Sequence, residues 1–275
     1  MKVAVVGHTE WIEFGRVDHV PAAGDIVHAR EWWEEPGGGG AIAAVQLAKL
    51  AGACTFLTAL GDDDLGRRSR RELESLGVGV EAAIRGAPTR RAVTFIDPAG
   101  ERTITTLGER LDPHAEDPLA WDELAEADAV YFTAGDPDAL REARRARVLV
   151  ATTRAFPTLV AGGVLLDAAV GSGHDPAERY NPSALTRGAT IVVRTEGVRG
   201  GTYETSSDAG RYEAAPLPGP VVDTYGCGDS FAAGLTFALG EGRDLERALG
   251  LAARCGAASV TGRGPFGGQL TRADI

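Results

Sequence analysis

The residues best suited to chemistry in this chain lie in Val221-Val222-Asp223-Thr224-Tyr225-Gly226-Cys227-Gly228-Asp229-Ser230-Phe231. There an apolar run meets two glycines one residue apart, and a carboxylate opens a run of small and apolar residues that ends near Gly240. The implied order is strand, tight turn, helix. The first N–H groups of such a helix have no intrahelical partner, and with the positive end of the helix dipole they form an anion site. Glycine at 226 and 228 keeps side chains out of that site. An acid placed there opposes the charge of a phosphate, but it is well placed to take the proton from a hydroxyl attacking phosphorus. Asp229 therefore reads as a general base. An Asp in a first helical turn also acts as a cap or dipole partner, so the rest of the chain has to decide.

With 275 residues, 44% hydrophobic and 24% charged, the chain can bury a sizeable core and reads as one domain with an appendage. No apolar run approaches a membrane span, and Met1 to Gly7 has the look of a first buried strand rather than a signal peptide. Cys54, Cys227 and Cys255 are too few and scattered for a disulfide framework or zinc site, which suits a reducing cytoplasm. The net charge of −11 carries no basic cluster that would suit nucleic acid. Cys227, at a helix N-terminus, is expected to have a lowered pKa and to be open to oxidation.

The elements that must position Asp229 follow in order. Residues 7 to 21 alternate in part and a Pro21 to Asp25 turn leads to Ile26 to Trp33, a hairpin pattern. Pro36-Gly37-Gly38-Gly39-Gly40 then allows close approach to a ligand and opens an Ala-rich helix ending at Gly52. A strand at Thr55 to Ala59, an acidic turn at Asp62 to Asp64 and a helix to Gly77 come next, and the acids suit the helix dipole. Thr89 to Thr106 is a second hairpin pattern, with Arg90, Arg91 and Arg102 in or beside it; they could approach the phosphates or substrate, but surface pairing with Glu101 and Glu109 is the preferred reading. From residue 120 strands and helices alternate: Ala129 to Thr133, an Asp136-Pro137 helix start, Val148 to Val150, Val164 to Asp167, then Ile191 to Val193 with a Gly-rich turn. That pattern is parallel and doubly wound, with ligands gathered at the carboxyl ends of strands.

Asp223-Thr224-Tyr225-Gly226-Cys227-Gly228-Asp229-Ser230-Phe231 resembles the second signature of the ribokinase, or PfkB, family of carbohydrate kinases, D-T-x-G-A-G-D-x-F. Pro36 to Ile42 resembles the first, P-G-G-x-G-A-N, with Ile42 in place of the Asn and Gly39 where some relatives carry a Lys that contacts a substrate phosphate. Thr195, Gly197 and Gly200 match the family's T-x-G-x-x-G. The resemblance implies an α/β, ribokinase-like fold: a doubly wound, mostly parallel central sheet flanked by helices, with a small antiparallel β lid. The core would be residues 1–9, 35–85 and 109–275, and the lid 10–34 and 86–108.

The same resemblance implies transfer of the γ-phosphate of ATP to a hydroxyl of a small sugar-like substrate. Asp229 would be the base, and the amides of Gly226, Cys227 and Gly228 the anion hole. Thr195, Gly197, Gly200 and Thr224 would bind nucleotide; Glu10, Gly37, Gly38, Gly39 and Ile42 would face the acceptor. Asp175 to Glu178 is a shortened match to N-x-x-E, implying a role for Glu178 and Asp175 at Mg²⁺, and Asp223 marks a monovalent cation site for K⁺. Ile12 argues against an ordinary ribose-like acceptor, and Ile42 with Gly39 against one already phosphorylated. Trp11, Phe14, Trp32 and Trp33 leave two further readings open, a nucleoside kinase whose lid stacks on a base and a homodimer joined through the lid. A nucleotide-binding sensor without catalysis is the third alternative, against which the retained Asp229 speaks.

Overall fold

Alternation at the first strand decides the architecture. In β1 (Val3–Val6) the side chains of Val3 and Val5 join one apolar cluster while Ala4 and Val6 join another, so both faces of the sheet are covered. The computed structural model describes residues 1–275.

The strands continue as β2 (Glu10–Arg16), β3 (Glu31–Gly37), β4 (Cys54–Gly61), β5 (Val78–Arg85), β6 (Arg91–Ile96) and β7 (Arg102–Leu107). After them come β8 (Ala129–Phe132), β9 (Val148–Thr152), β10 (Leu166–Ser172), β11 (Ala189–Thr195), β12 (Gly201–Thr205) and β13 (Ala209–Tyr212). The helices are α1 (Gly39–Ala51), α2 (Asp64–Ser75), α3 (Pro137–Ala143), α4 (Phe156–Gly162), α5 (Cys227–Gly240) and α6 (Leu245–Ser259). Nine strands form the main sheet in the order β13-β12-β11-β10-β9-β8-β1-β4-β5. It is parallel from β5 to β11; the last two pairings, β11/β12 and β12/β13, are antiparallel, so β12 alone runs against the other strands. Residues of α1, α2, α5 and α6 fill the larger apolar cluster on one face, and α3 and α4 the smaller one on the other.

The local chemistry explains the helix ends. Gly52 closes α1 in the left-handed region, φ 93°, with its N–H donating to Ala48 O at 2.8 Å. Asp136 caps α3 by accepting from Ala139 N at 2.7 Å, with Pro137 in the first turn. Asp63 caps α2 through Gly66 N and also accepts from Thr89, so the acidic turn ties α2 to the segment before β6. Helix α5 is apolar nearly all round because α1, α6 and the sheet enclose it. Its contact with α6 is close: a Cβ on Gly234 would stand 2.8 Å from Cys255 Sγ.

A separate sheet, ordered β3-β2-β6-β7, is the lid. The two hairpins β2/β3 and β6/β7 are antiparallel, as expected, while the inner pair β2/β6 is parallel. Three boundaries differ from the sequence reading. The strand expected at Ile26 to Trp33 forms at Glu31–Gly37, because residues 26 to 30 stay outside the ladder. The strand expected at Val164 to Asp167 runs from Leu166 to Ser172. Val221 and Val222 are not a strand; the amides of Val222 and Asp223 donate to Val260 O at the end of α6, at 2.8 and 3.2 Å, instead of to a sheet.

Candidate active site

Gly226 adopts φ 76°, a left-handed conformation that turns the chain into α5 without a side-chain cap. No side chain therefore competes for the first amides of this helix, which open toward the carboxyl ends of the parallel strands. Asp229 lies in that first turn, half-buried. Burial, and then the nearby charge of Glu178, push its carboxyl up to about 7, with Arg154 and Arg102 opposing the shift. A carboxylate titrating near neutrality is suited to take a proton and later release it.

The glycines of Pro36 to Gly40 face this carboxylate. A Cβ on Gly39 would stand 2.8 Å from Asp229 Oδ1, and one on Gly38 would stand 3.1 Å from both Glu10 N and the His8 ring. Gly37 is equally crowded, with Ile12 Cγ1 2.7 Å and Tyr225 OH 2.9 Å from the corresponding point. Tyr225 also accepts from Gly38 N at 3.2 Å, which fixes the glycine turn to the 221–231 segment. Glu10 is buried, 3.2 Å from Arg90 and 3.9 Å from His8 Nε2, so it faces the same end of the cleft. Ile42 does not: it is 1% exposed and packs beneath Gly226, whose Cβ would stand 2.8 Å from its Cδ1. It supports the turn and offers the acceptor nothing, a correction to its placement among acceptor-facing residues.

Across the cleft, Ser172 pairs with Thr195 at the ends of β10 and β11. Ser172 N donates to Glu178 Oε2 at 2.6 Å, and Arg154 reaches Asp175 and Glu178 at 2.5 and 2.6 Å. Gly197 and Gly200 both take positive φ, 60° and 74°, in the turn from β11 to β12. This turn is linked to α5 through Tyr212 of β13, whose ring lies 5.6 Å from that of Phe231. Thr224 points elsewhere. Its N–H and hydroxyl both donate to Gly100 O, at 3.0 and 3.1 Å, which anchors the β6/β7 turn of the lid to the segment before Asp229. Asp223 is fully buried and accepts from Tyr225 N at 2.8 Å and Gly264 N at 3.0 Å, so it joins the same segment to the C-terminal loop.

The expectation of an activated thiol is overturned. Burial raises the Cys227 pKa, and the nearby Asp229 charge adds to the shift while Arg102 opposes it. Iodoacetamide at pH 7.5 should leave Cys227 largely unmodified until the protein is denatured; rapid native labelling, read by mass spectrometry, would contradict that. The lid aromatics are also committed elsewhere. Trp11 is buried under Arg68, 4.2 Å from its ring, and Phe14 stacks on Trp33 at 4.9 Å and meets Tyr225 edge-on. Arg263 covers Trp33 at 4.2 Å, leaving Trp32 as the exposed one of the four.

Three residues that sequence reasoning passed over converge here. His8 follows β1 and Arg154 follows β9, both at carboxyl ends of parallel strands, and that position was a usable signal. Arg110 follows the lid strand β7 and donates to Asp112 through Nε and Nη2, at 2.7 and 3.0 Å; nothing in the sequence brings its charge near His8. Burial, followed by the charges of Arg110, Arg90 and Arg154, holds the His8 pKa down to about 3, so the imidazole is neutral.

A doubly wound sheet with a β lid over its carboxyl edge places the chain in the ribokinase-like class of small-molecule kinases. The solved ribokinase of Arabidopsis thaliana complexed with ribose and ATP superposes with a TM-score of 0.77 over 99% of this chain and 96% of that one, at 20% identity, a likeness of fold. The profile described as "pfkB family carbohydrate kinase" matches residues 1–167 and 165–271. An ATP-dependent ribose-1-phosphate kinase of Halopiger xanaduensis is 31% identical, over 94% of this chain and 91% of its own length. An aminoimidazole riboside kinase of Salmonella typhimurium is 29% identical, over 86% of each. The chain belongs to the pfkB family of carbohydrate kinases. No helix is long and apolar enough to cross a membrane.

Proposed function

We propose that this kinase transfers the γ-phosphate of ATP to a hydroxyl of a small sugar or sugar-bearing molecule, with Asp229 as general base. One observation carries the reading: a carboxylate raised to about 7 stands at the uncapped start of α5, with the glycines of Pro36 to Gly40 against it. The names of two relatives, a ribose-1-phosphate kinase and an aminoimidazole riboside kinase, share a ribose unit and support an acceptor containing one.

The acceptor hydroxyl lies between Asp229 and the γ-phosphorus. Its oxygen bonds to phosphorus as the bond to the bridging oxygen of ADP breaks, and its proton passes to Asp229. The amides of Gly226, Cys227 and Gly228 meet the charge that develops on the transferred group. Thr195, Gly197 and Gly200 support the nucleotide from the β11/β12 turn. Mg²⁺, when bound, neutralises charge on the triphosphate, and it needs only one or two carboxylates in addition to phosphate oxygens. Glu178, one oxygen fixed by Ser172 N, suits that role, and Asp175 shares Arg154 with it. The lid, residues 10–34 and 86–108, excludes water that would otherwise hydrolyse ATP, and its tie from Thr224 to Gly100 joins lid position to the segment carrying Asp229.

The test is ADP formation across a panel of sugars, sugar phosphates, polyols and nucleosides, with products identified by mass spectrometry. Acceptor-dependent ADP and a phosphorylated product support the proposal. ATP binding without transfer to any acceptor would favour a nucleotide sensor instead. Replacing K⁺ by tetramethylammonium in the same assay should lower turnover severalfold if the loop at Asp223 holds a monovalent cation, and unchanged rates would remove that assignment. The edge strand β7 is exposed along its whole length, with Ile104 and Leu107 each 43% exposed, which supports a homodimer joined through the lid. Light scattering should give twice the chain mass; a monomer that remains fully active would contradict this.

A further inference from the structure

Helix α5 packs across β8, β9 and β10, and a Cβ on Gly240 at its end would stand 2.8 Å from Cβ of Ala129, the first residue of β8. The helix therefore runs against these strands, and its start lies over their carboxyl ends. Arg154 sits there, in the turn that follows β9, and the neighbouring Thr153 Oγ1 donates to Glu178 O at 2.8 Å. Gly171 of β10 makes room for that bond: a Cβ on it would stand 1.8 Å from Thr153 Oγ1. The turn carrying the arginine and the segment carrying Asp175 and Glu178 are thus one unit.

A single nitrogen of Arg154 serves both acids. Nη2 donates to Asp175 Oδ2 at 2.5 Å and to Glu178 Oε1 at 2.6 Å, which uses both of its hydrogens. Ala177 N and Ser172 N hold the other carboxylate oxygens, at 2.8 and 2.6 Å, so neither acid is free to swing. Nε and Nη1 donate to no protein atom, although a guanidinium carries hydrogens on all of its nitrogens. The Arg154 side chain is half-exposed, and an ion pair that open contributes little stability. What the acids supply is a fixed direction. Burial dominates the shifts at Asp229, Tyr131 and His8, and the charge of Arg154 contributes at each of them. The guanidinium therefore stands on the cleft floor, beside the proposed base.

We infer that Arg154 is a catalytic residue: its unpaired N–H groups bond the oxygens of the phosphoryl group as it passes from ATP to the acceptor, while Asp175 and Glu178 hold the guanidinium in place. This rests on the phosphotransfer reading above and adds a residue to its machinery. The bonds made and broken are those already given, and Arg154 keeps its protons throughout. Charge lies on the equatorial oxygens of the transferred group, and the amides at the start of α5 meet it from the helix side. Arg154 meets it from the strand side, with charge-assisted bonds about twice as strong as neutral ones. It also offsets Asp175 and Glu178, whose charge would otherwise face a polyanion.

The test compares wild type with Arg154→Gln and Arg154→Lys, using ADP, Mg²⁺ and aluminium fluoride as a mimic of the transferred group. Calorimetry should give Arg154→Gln an affinity for ADP close to that of wild type, with the extra affinity conferred by the fluoride reduced about a hundredfold. With ATP and the best acceptor of the panel, kcat should fall by a similar factor while the acceptor KM changes little. Arg154→Lys should recover part of both losses, and melting curves near that of wild type establish that the variants fold. Equal fluoride enhancement in wild type and Arg154→Gln overturns the inference. So does a loss of rate that excess Mg²⁺ restores, because Arg154 would then only hold the acids for the metal. If no acceptor is turned over, the phosphotransfer reading fails by itself and the fluoride titration still decides. A selective loss in Arg154→Gln keeps the residue at the phosphoryl position, and equal values remove it.

Discussion

Asp229→Asn is expected to lower kcat by about three orders of magnitude or more while ATP binding stays near the wild-type value. The loss combines that of a general base, on the order of 10²–10⁴, with the misplaced acceptor hydrogen bond left by an amide that cannot take a proton. The same variant should melt at a higher temperature than wild type. The Asp229 pKa in the fold is about 7, above the ordinary carboxylate value. Below the unfolded value both states hold the proton and the site costs nothing. Between there and pH 7 the fold keeps a proton that the unfolded chain releases, and stability falls by at most about 1.4 kcal/mol per pH unit. The thermal gain from Asn should therefore be small at pH 5, larger at pH 7 and level above it. An inactive variant with no gain in stability at pH 8 would mean that the carboxylate is not held in a dry pocket.

Gly39→Ala should be the next most damaging change, through a single methyl group. Gly39 has no positive φ and begins α1, so the backbone accepts alanine and the helix gains slightly from it. The added Cβ, however, would stand 2.8 Å from Asp229 Oδ1, inside normal contact, and one of the two must move. A displacement near 1 Å of a reacting group costs about 10²-fold, so kcat/KM should fall by roughly that factor with the melting temperature unchanged or raised. Gly250→Ala, at an open point on α6 with no atom within 4 Å of the added carbon, is the matched control and should leave activity as it is. In the Asp229→Asn background, Gly39→Ala should cost little more, because the two act on one group. Full additivity would place the effect of Gly39 elsewhere.

The turn at Asp229 was legible because it is local. Two glycines, one of which has to take a left-handed conformation at Gly226, followed by a small-residue helix, leave few alternatives for the backbone. The glycine turn before α1, the caps at Asp136 and Gly52, and the alternation of strands and helices after residue 120 were legible for the same reason. What the sequence hid depends on partners distant in the chain. Val221 and Val222 have the composition of a strand, yet the amides of Val222 and Asp223 are taken by Val260 O. Strand β5 passes unnoticed since Val78 and Val80 are buried while Gly79 and Glu81 are exposed, an edge pattern with little apolar content. Trp11 and Phe14 look like a stacking surface until β2 is seen with cover on both faces, Arg68 on one and Tyr225 on the other. Arg154, Arg110 and His8 lie far apart in sequence, and only the sheet order brings them to one place. The thiol at Cys227 was misread because the lowering by the amides of the helix start is outweighed here by burial, with the charge of Asp229 adding to it.

The most direct test of Asp229 as the base is the pH dependence of kcat, measured at saturating ATP and with the best acceptor of the panel, from pH 5.5 to 8.5. Wild type should rise about tenfold per pH unit on the acid side and level off near pH 7, where the carboxylate has lost its proton, and the residual rate of Asp229→Asn should lack that limb. A wild-type profile flat across the range, or an acid limb that Asp229→Asn retains, would contradict the account.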